Sequence, residues 1–274
     1  MNIDMIRRAA SLIDNVRVKR PLIHQITNYV TVNDCANITL GIGASPIMAD
    51  AIEEAADIAA ISSALVLNIG TLNNRTVESM LAAGRSANAQ QIPVVLDPVG
   101  AGASAFRNQT IGCIVRDVKL AAVRGNVSEI GSMLGLSKGA KGEDASDADD
   151  VHDPAALTAS LAKELDCVVA ITGAVDTVSD GRTTIRIENG HPLLSSITGT
   201  GCMCTALVGS FIGAHPDQPL LAAVMGVASM SIAGQIAYDA AGSCGNGSFK
   251  AAIMDAVSNL NADTILKEAK LHEC

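Results

Sequence analysis

Short apolar runs alternate along this chain with longer stretches of helical spacing. ASPIMAD (44–50) reads as a strand, and a helix is expected to open at Asp50 with Glu53 three residues on, the spacing of a capping box. ALVLNIG (64–70), IPVVLDP (92–98), LAAVRGN (120–126) and CVVAITG (167–173) read as strands buried on both faces. Between them NRTVESMLAAGRSANAQQ (74–91), FRNQTIGCIVRDV (106–118), VSEIGSMLG (127–135) and DPAALTASLAKEL (153–165) read as helices; the last opens on an Asp cap with Pro at the first helical position. This order predicts an α/β fold, a mostly parallel central sheet with helices on both faces. The rhythm then breaks. DTVSDGRTTIRIENG (176–190) alternates around Asp180-Gly181 and predicts a hairpin-like insertion. Only helices are expected after it, over 201–214, 219–241, 247–260 and near 262–272. The acidic, glycine-rich 139–150 stretch reads as an exposed loop, no internal repeat is visible, and 1–274 is read as one domain.

Composition sharpens this picture. Apolar residues make up 49% and aromatic ones 2%, so burial falls to Ala, Val, Ile, Leu and Met. That mixture suits close-packed helices and parallel strands better than a β-sandwich. Nineteen basic against twenty-eight acidic residues give a net charge of −9, which repels nucleic acid and anionic membranes; no basic run offsets it. Leu220 to Tyr238 carries no charge and approaches membrane-spanning length. It is nevertheless rich in Ala, Gly and Ser, contains Gln235 and has no flanking Lys or Arg, so a buried core helix is the better reading. The N-terminus is charged and amphipathic, without the apolar stretch of a signal peptide. Seven scattered cysteines suggest a reduced, cytoplasmic protein, and the C-x-C of 202–204 lacks a second ligand pair for zinc.

In open α/β sheets ligands bind beyond the carboxyl ends of the strands. Asn68, Gly70, Asp97, Gly100, Arg124 to Asn126, Thr172 and Gly173 fall there; each alone is ordinary loop composition, but four strand ends coincide. TGTGC (198–202) is sharper. Glycines at a helix start let backbone amides converge, and Gly199, Thr200, Gly201 and Cys202 read as an anion hole for a phosphoryl group or an oxyanion. Its spacing is not that of a Walker loop. Cys202 at that terminus is expected to have a lowered pKa, as a proton acceptor or nucleophile; the plain alternative is a thiol packing the turn. No motif ties a histidine to it, which favours general-base or positioning work over a cysteine hydrolase. Cys204 is assigned to packing. Asn126 and Glu129 are fully explained by a capping box, with magnesium at Glu129 as the functional alternative. Asp97 is either a magnesium-shell carboxylate or a turn residue, and Arg124 at a strand end suits a nucleotide phosphate.

Five segments in order, HQITNYVTVNDCANITLGIGASPIMAD (24–50), VVLDPVGAG, VRGNVSEI, AITGAVDTVSDG and TGTGCMCTALVGSF, resemble the hydroxyethylthiazole kinase family of the ribokinase-like superfamily. The resemblance covers nearly the whole chain. It implies a three-layer α/β/α sandwich that phosphorylates 4-methyl-5-(2-hydroxyethyl)thiazole with ATP in thiamine salvage. Arg124 and Thr172 would then contact ATP, and Asp97 and Glu129 would lie around Mg2+. Met48 and Gly199 would touch the thiazole, with Asn28 and Val30 in the same pocket, and Cys202 would face the substrate hydroxyl. The resemblance also implies a homotrimer whose sites lie at subunit interfaces, the 24–50 segment coming from one subunit and the 199–202 turn from its neighbour. Three alternatives remain: a nucleotide-dependent NAD(P)H-hydrate dehydratase, a hydroxymethylpyrimidine kinase of the same fold, or a non-catalytic nucleotide-binding regulator. Relatives including the dehydratases carry Asp where this chain has Cys202, and NYVTVNDCAN and SPIMAD favour the thiazole over the pyrimidine.

Overall fold

The computed structural model describes residues 3–141 and 153–274. In chain order the elements are α1 (Ile3–Lys19), β1 (Leu22–Ile26), α2 (Val32–Ile42), β2 (Ser45–Ile47), α3 (Ala55–Ile61), β3 (Ala64–Asn68) and α4 (Asn74–Ala89). There follow β4 (Val94–Asp97), α5 (Ala105–Asp117), β5 (Ala122–Gly125), α6 (Val127–Lys141), α7 (Pro154–Leu165) and β6 (Val168–Ile171). The C-terminal part contains β7 (Asp176–Ser179), β8 (Thr184–Ile187), α8 (Thr200–Ala214), α9 (Pro219–Ala241), α10 (Asn246–Asn259), α11 (Ala262–Glu268) and β9 (Leu271–Glu273). One nine-stranded sheet runs β2-β1-β3-β4-β5-β6-β7-β8-β9, parallel as far as β6 and antiparallel beyond.

The strands look continuously apolar because both faces are covered. Ala64, Val66 and Val95 join one core with α1, α2, α8, α9, α10 and α11; Leu65, Leu67, Val94 and Leu96 join the other with α3 to α7. That alternation is the two-residue period of a pleated strand. The uncharged segment is the interior of α9: its apolar window is 78% buried, the only helix among the described residues long and apolar enough to cross a membrane. A Cβ on Gly226 would stand 2.5 Å from the Val208 Cα, so the glycine lets α9 lie against the α8 backbone.

Several expectations need correction. The capping box at Asp50 and Glu53 does not form; α3 begins at Ala55, behind Glu54 with no side-chain cap. The 176–190 hairpin is no insertion, because β7 and β8 extend the central sheet. The chain does not end in helices alone: 271–273 pairs with β8 as an edge strand. β1 and α2 carried no signal strong enough to be read, since LIHQI interrupts its apolar residues with His24 and Gln25, both buried. Of the acidic stretch, 139–141 continues α6 and the rest lies outside the described residues.

Candidate active site

The ends of β3 and β4 meet in register, Asn68 opposite Asp97. Asp97 is fully buried; its Oδ2 accepts from Thr205 Oγ1 at 2.7 Å and Asn68 Nδ2 at 3.0 Å, while Oδ1 has no partner. Burial pushes its carboxyl up to about 6, opposed by the guanidinium of Arg124, whose Nη1 lies 4.0 Å from Oδ2. Arg124, at the end of β5, also donates to the Thr172 hydroxyl at the end of β6. Asp97, Arg124 and Thr172 thus form one connected group across three strands.

The 199–202 turn closes over this group. Gly199 has φ +93, and a Cβ there would meet Thr31 Cγ2 at 2.6 Å, so the position demands glycine twice over. A Cβ on Gly201 would stand 2.5 Å from Arg124 Nη1, which places the guanidinium directly against the start of α8. The first amides of a helix have no intrahelical acceptor and carry its positive end. Beside them the half-buried Cys202 Sγ accepts from Asn28 Nδ2 and Asn68 Nδ2, both at 3.2 Å. The expected lowering of its pKa is not found. Burial pushes the thiol up, Asp97 adds to the rise, and Thr31, Asn68 and Asn28 only oppose it. Cys204 is buried in the core as expected, and burial holds its thiol up at about 12.

Glu129 is a capping residue: Oε2 accepts from Asn126 N at 2.8 Å, and Asn126 Oδ1 accepts from Glu129 N at 2.9 Å. Its Oε1 accepts from Gly100 N at 2.9 Å, tying the loop after β4 to the start of α6. Met48 packs against the core on the α8 face, whereas Val30 is 59% exposed. The segment carrying Met48 is anchored by buried His24, whose Nε2 lies 2.7 Å from the Ala49 carbonyl. The resemblance assigns 24–50 and 199–202 to different subunits; at Asn28 and Thr31 the two meet within one chain.

A cavity of about 500 Å³ runs from Arg124, Thr172 and Gly201 towards Asn189 and Met230. On its wall Asp176 accepts from Gly173 N at 3.0 Å and Ser231 Oγ at 2.7 Å. Burial raises its carboxyl to about 6, well above the ordinary carboxylate range. A raised carboxyl stabilises the fold fully below its unfolded pKa, and that contribution is lost as pH rises through the folded value. Asp176→Asn is therefore expected to raise thermal stability at pH 8, by at most about 3 kcal/mol. The gain should vanish at pH 4; an equal effect at both pH values, in thermal melts of the unliganded protein, would refute the assignment.

Arg107 was invisible in the sequence, because nothing local marks an α5 arginine as structural. Its Nη1 donates to the carbonyls of Ile69 and Val99, and its Nη2 to Gly70 at 2.9 Å, tying the loops after β3 and β4 together. Arg107→Ala leaves three carbonyls without their donor and is expected to cost about 2–3 kcal/mol of stability, read from urea unfolding. Asp176 and Thr205 were also missed, since a buried Asp or Thr beside a strand or in a helix has no sequence signature.

A family model described as the hydroxyethylthiazole kinase family matches residues 13–263. The chain belongs to the hydroxyethylthiazole kinase family. It is 56% identical over 268 residues to a hydroxyethylthiazole kinase of Ruminiclostridium cellulolyticum, with 97% of this chain and 98% of that one covered. The solved hydroxyethylthiazole kinase of Pyrococcus horikoshii OT3 superposes with a TM-score of 0.88 at 39% identity, covering 97% and 99% of the two chains. The pyridoxal kinase of Staphylococcus aureus, solved with ADP, superposes with a TM-score of 0.60 at 16% identity over 78% of this chain and 88% of that one. The last likeness concerns the fold alone, which is the ribokinase-like sandwich of helices on both faces of a mostly parallel sheet.

Proposed function

We propose that this protein transfers the γ-phosphoryl group of ATP to the hydroxyl of 4-methyl-5-(2-hydroxyethyl)thiazole, a step of thiamine salvage. The observation that carries this reading is the Arg124 guanidinium seated against Gly201 at the N-terminus of α8, with the Cys202 thiol beside it. Phosphoryl transfer passes through a loose, charge-spread transition state, so the protein must position and neutralise more than attack. Arg124 and the α8 amides supply the positive field, and Thr172 holds the guanidinium in place. Cys202 faces the acceptor hydroxyl. Burial raises its thiol pKa, so the thiolate that can take the proton is strongly basic but scarce, and the group also guides the hydroxyl.

The donor chemistry fits Mg2+, which takes one or two carboxylates and completes its shell with phosphates and water. Asp97 Oδ1 is buried without a partner, Glu129 lies close enough to raise the Asp97 pKa, and the described residues contain no larger His/Cys/Asp/Glu cluster. Asp97 and Glu129 are the residues that would hold it, and the ion would neutralise phosphate charge when bound. The reading extends to Met48, Gly199, Asn28 and Val30 as the thiazole pocket and to a homotrimer in which exposed Tyr29 and Val30 face a neighbour. All seven cysteines are free, in keeping with a cytoplasmic setting.

The test is ADP release with ATP and magnesium against the thiazole alcohol, hydroxymethylpyrimidine, ribose and adenosine. Release with the thiazole alcohol alone, and a phosphorylated product by mass, supports the reading. ATP binding without release from any alcohol overturns it in favour of a dehydratase or a regulator. Cys202→Ser keeps the shape and removes the more acidic group; turnover within threefold of the parent would confine Cys202 to guiding the hydroxyl, whereas about a tenfold loss is expected for a proton acceptor.

A further inference from the structure

The two asparagines beside Cys202 use every hydrogen-bonding position they have. Asn28 Nδ2 donates to Asn68 Oδ1 at 3.0 Å and to Cys202 Sγ, and its Oδ1 accepts from Thr31 N at 3.1 Å and Thr31 Oγ1 at 3.0 Å. Asn68 Nδ2 donates to Asp97 Oδ2 and to Cys202 Sγ, and its Oδ1 accepts from Gly70 N at 2.9 Å and from Asn28. Both side chains are almost wholly buried. The network leaves neither amide a choice of orientation: turning Asn28 over would aim its oxygen at Asn68 Oδ1 and its NH2 at the Thr31 N–H. The sulfur therefore faces two N–H donors and no competing acceptor from this pair.

We propose that Asn68, paired with Asn28, is a positioning residue for phosphoryl transfer that holds the Cys202 sulfur as a hydrogen-bond acceptor. This rests on the reading that Cys202 faces the acceptor hydroxyl. Thiol sulfur is a weak acceptor and thiolate a strong one, so two donors aimed at sulfur favour the form that can take a proton. They work against the burial of the site, Asp97 from β4 and Cys35 from α2, and together with Arg124 from β5. Asn68 has a second effect. One amide nitrogen serves both the thiol and the Asp97 carboxylate, so the two cannot shift independently. A single residue at the end of β3 sets the spacing between the group that meets the hydroxyl and the carboxylate on the phosphate side.

The readout is the rate at which iodoacetamide alkylates Cys202 at pH 8.5, resolved from the other cysteines by peptide mass spectrometry, in the full chain without thiazole alcohol. Asn68→Ala and Asn28→Ala are each expected to slow it about tenfold, as one charge-assisted donor is lost. A role in packing alone moves the rate the other way, because a smaller side chain opens access to the sulfur. An unchanged or faster rate in folded protein overturns the proposal. Turnover should fall with the alkylation rate while the KM for ATP stays within twofold; a KM change with unchanged turnover also overturns it. Should Asn68→Ala fail to unfold cooperatively, Asn28→Ser, on a loop before α2, carries the same test. Alkylation needs no kinase activity, so failure of the substrate reading shows as absent ADP release by the parent protein and remains distinct from failure here.

Discussion

Arg124→Ala is expected to lower kcat/KM about a thousandfold, the scale of losing one preorganised charge at a phosphoryl-transfer site. Three features place the effect at that end. The guanidinium is nearly buried, 11% exposed, so its field is weakly screened. It lies against Gly201, where the α8 amides already concentrate positive potential, and it lines the cavity that would take the nucleotide. Its hold on Thr172 fixes its direction, so lysine, a point charge without the planar fork, is expected to recover little. The fold should feel the loss as well, because Asp97 would then be buried without its cation and its carboxyl would climb further. Steady-state kinetics together with thermal melts separate the two effects. A loss under tenfold in stably folded protein would mean that the helix terminus alone carries the phosphoryl group.

Asp97→Asn is expected to reduce turnover at least a hundredfold and to remove the acid limb of the pH profile. The sign follows from its environment. Burial raises the folded carboxyl to about 6, so at neutral pH it is ionised and below that it takes up a proton. Activity that needs the carboxylate should fall about tenfold for each pH unit below that point, at low magnesium so that the ion does not compete with the proton. The Asn variant can still accept from Thr205 and Asn68 through its carbonyl, which keeps the local geometry while removing the charge. A variant that keeps turnover with an unaltered acid limb would show that the limb belongs to another group and that Asp97 is structural.

The residues at these two positions were legible before their neighbours were. VVLDP and AAVRGN announce strands with a polar residue at the end, and strand ends are where open α/β sheets bind ligands. The Asn126–Glu129 capping box and the Asp153-Pro154 helix start were likewise readable and are present as read, because a cap is made within three residues of itself. The Asp50–Glu53 pattern had the same spacing and failed, since the chain leaving β2 turns once more before α3 can begin. A capping motif states that a helix can start, while packing decides whether it does.

The sequence by itself determined the α/β order, the burial of α9 and the TGTGC turn, through periodicity, composition and glycine geometry, all of which act over a few residues. Only the tertiary structure decided that Asn28 and Asn68 both reach Cys202, across 174 and 134 positions of chain, and that Arg107 ties together the loops after β3 and β4. It also reversed the sign expected for the thiol. A helix N-terminus lowers a pKa in water-like surroundings, but here the strands bring buried Asp97 near the sulfur and shield the sulfur itself from much of the solvent. Desolvation and long-range charge depend on what surrounds a group in space, and that surrounding is set by residues far away in the chain.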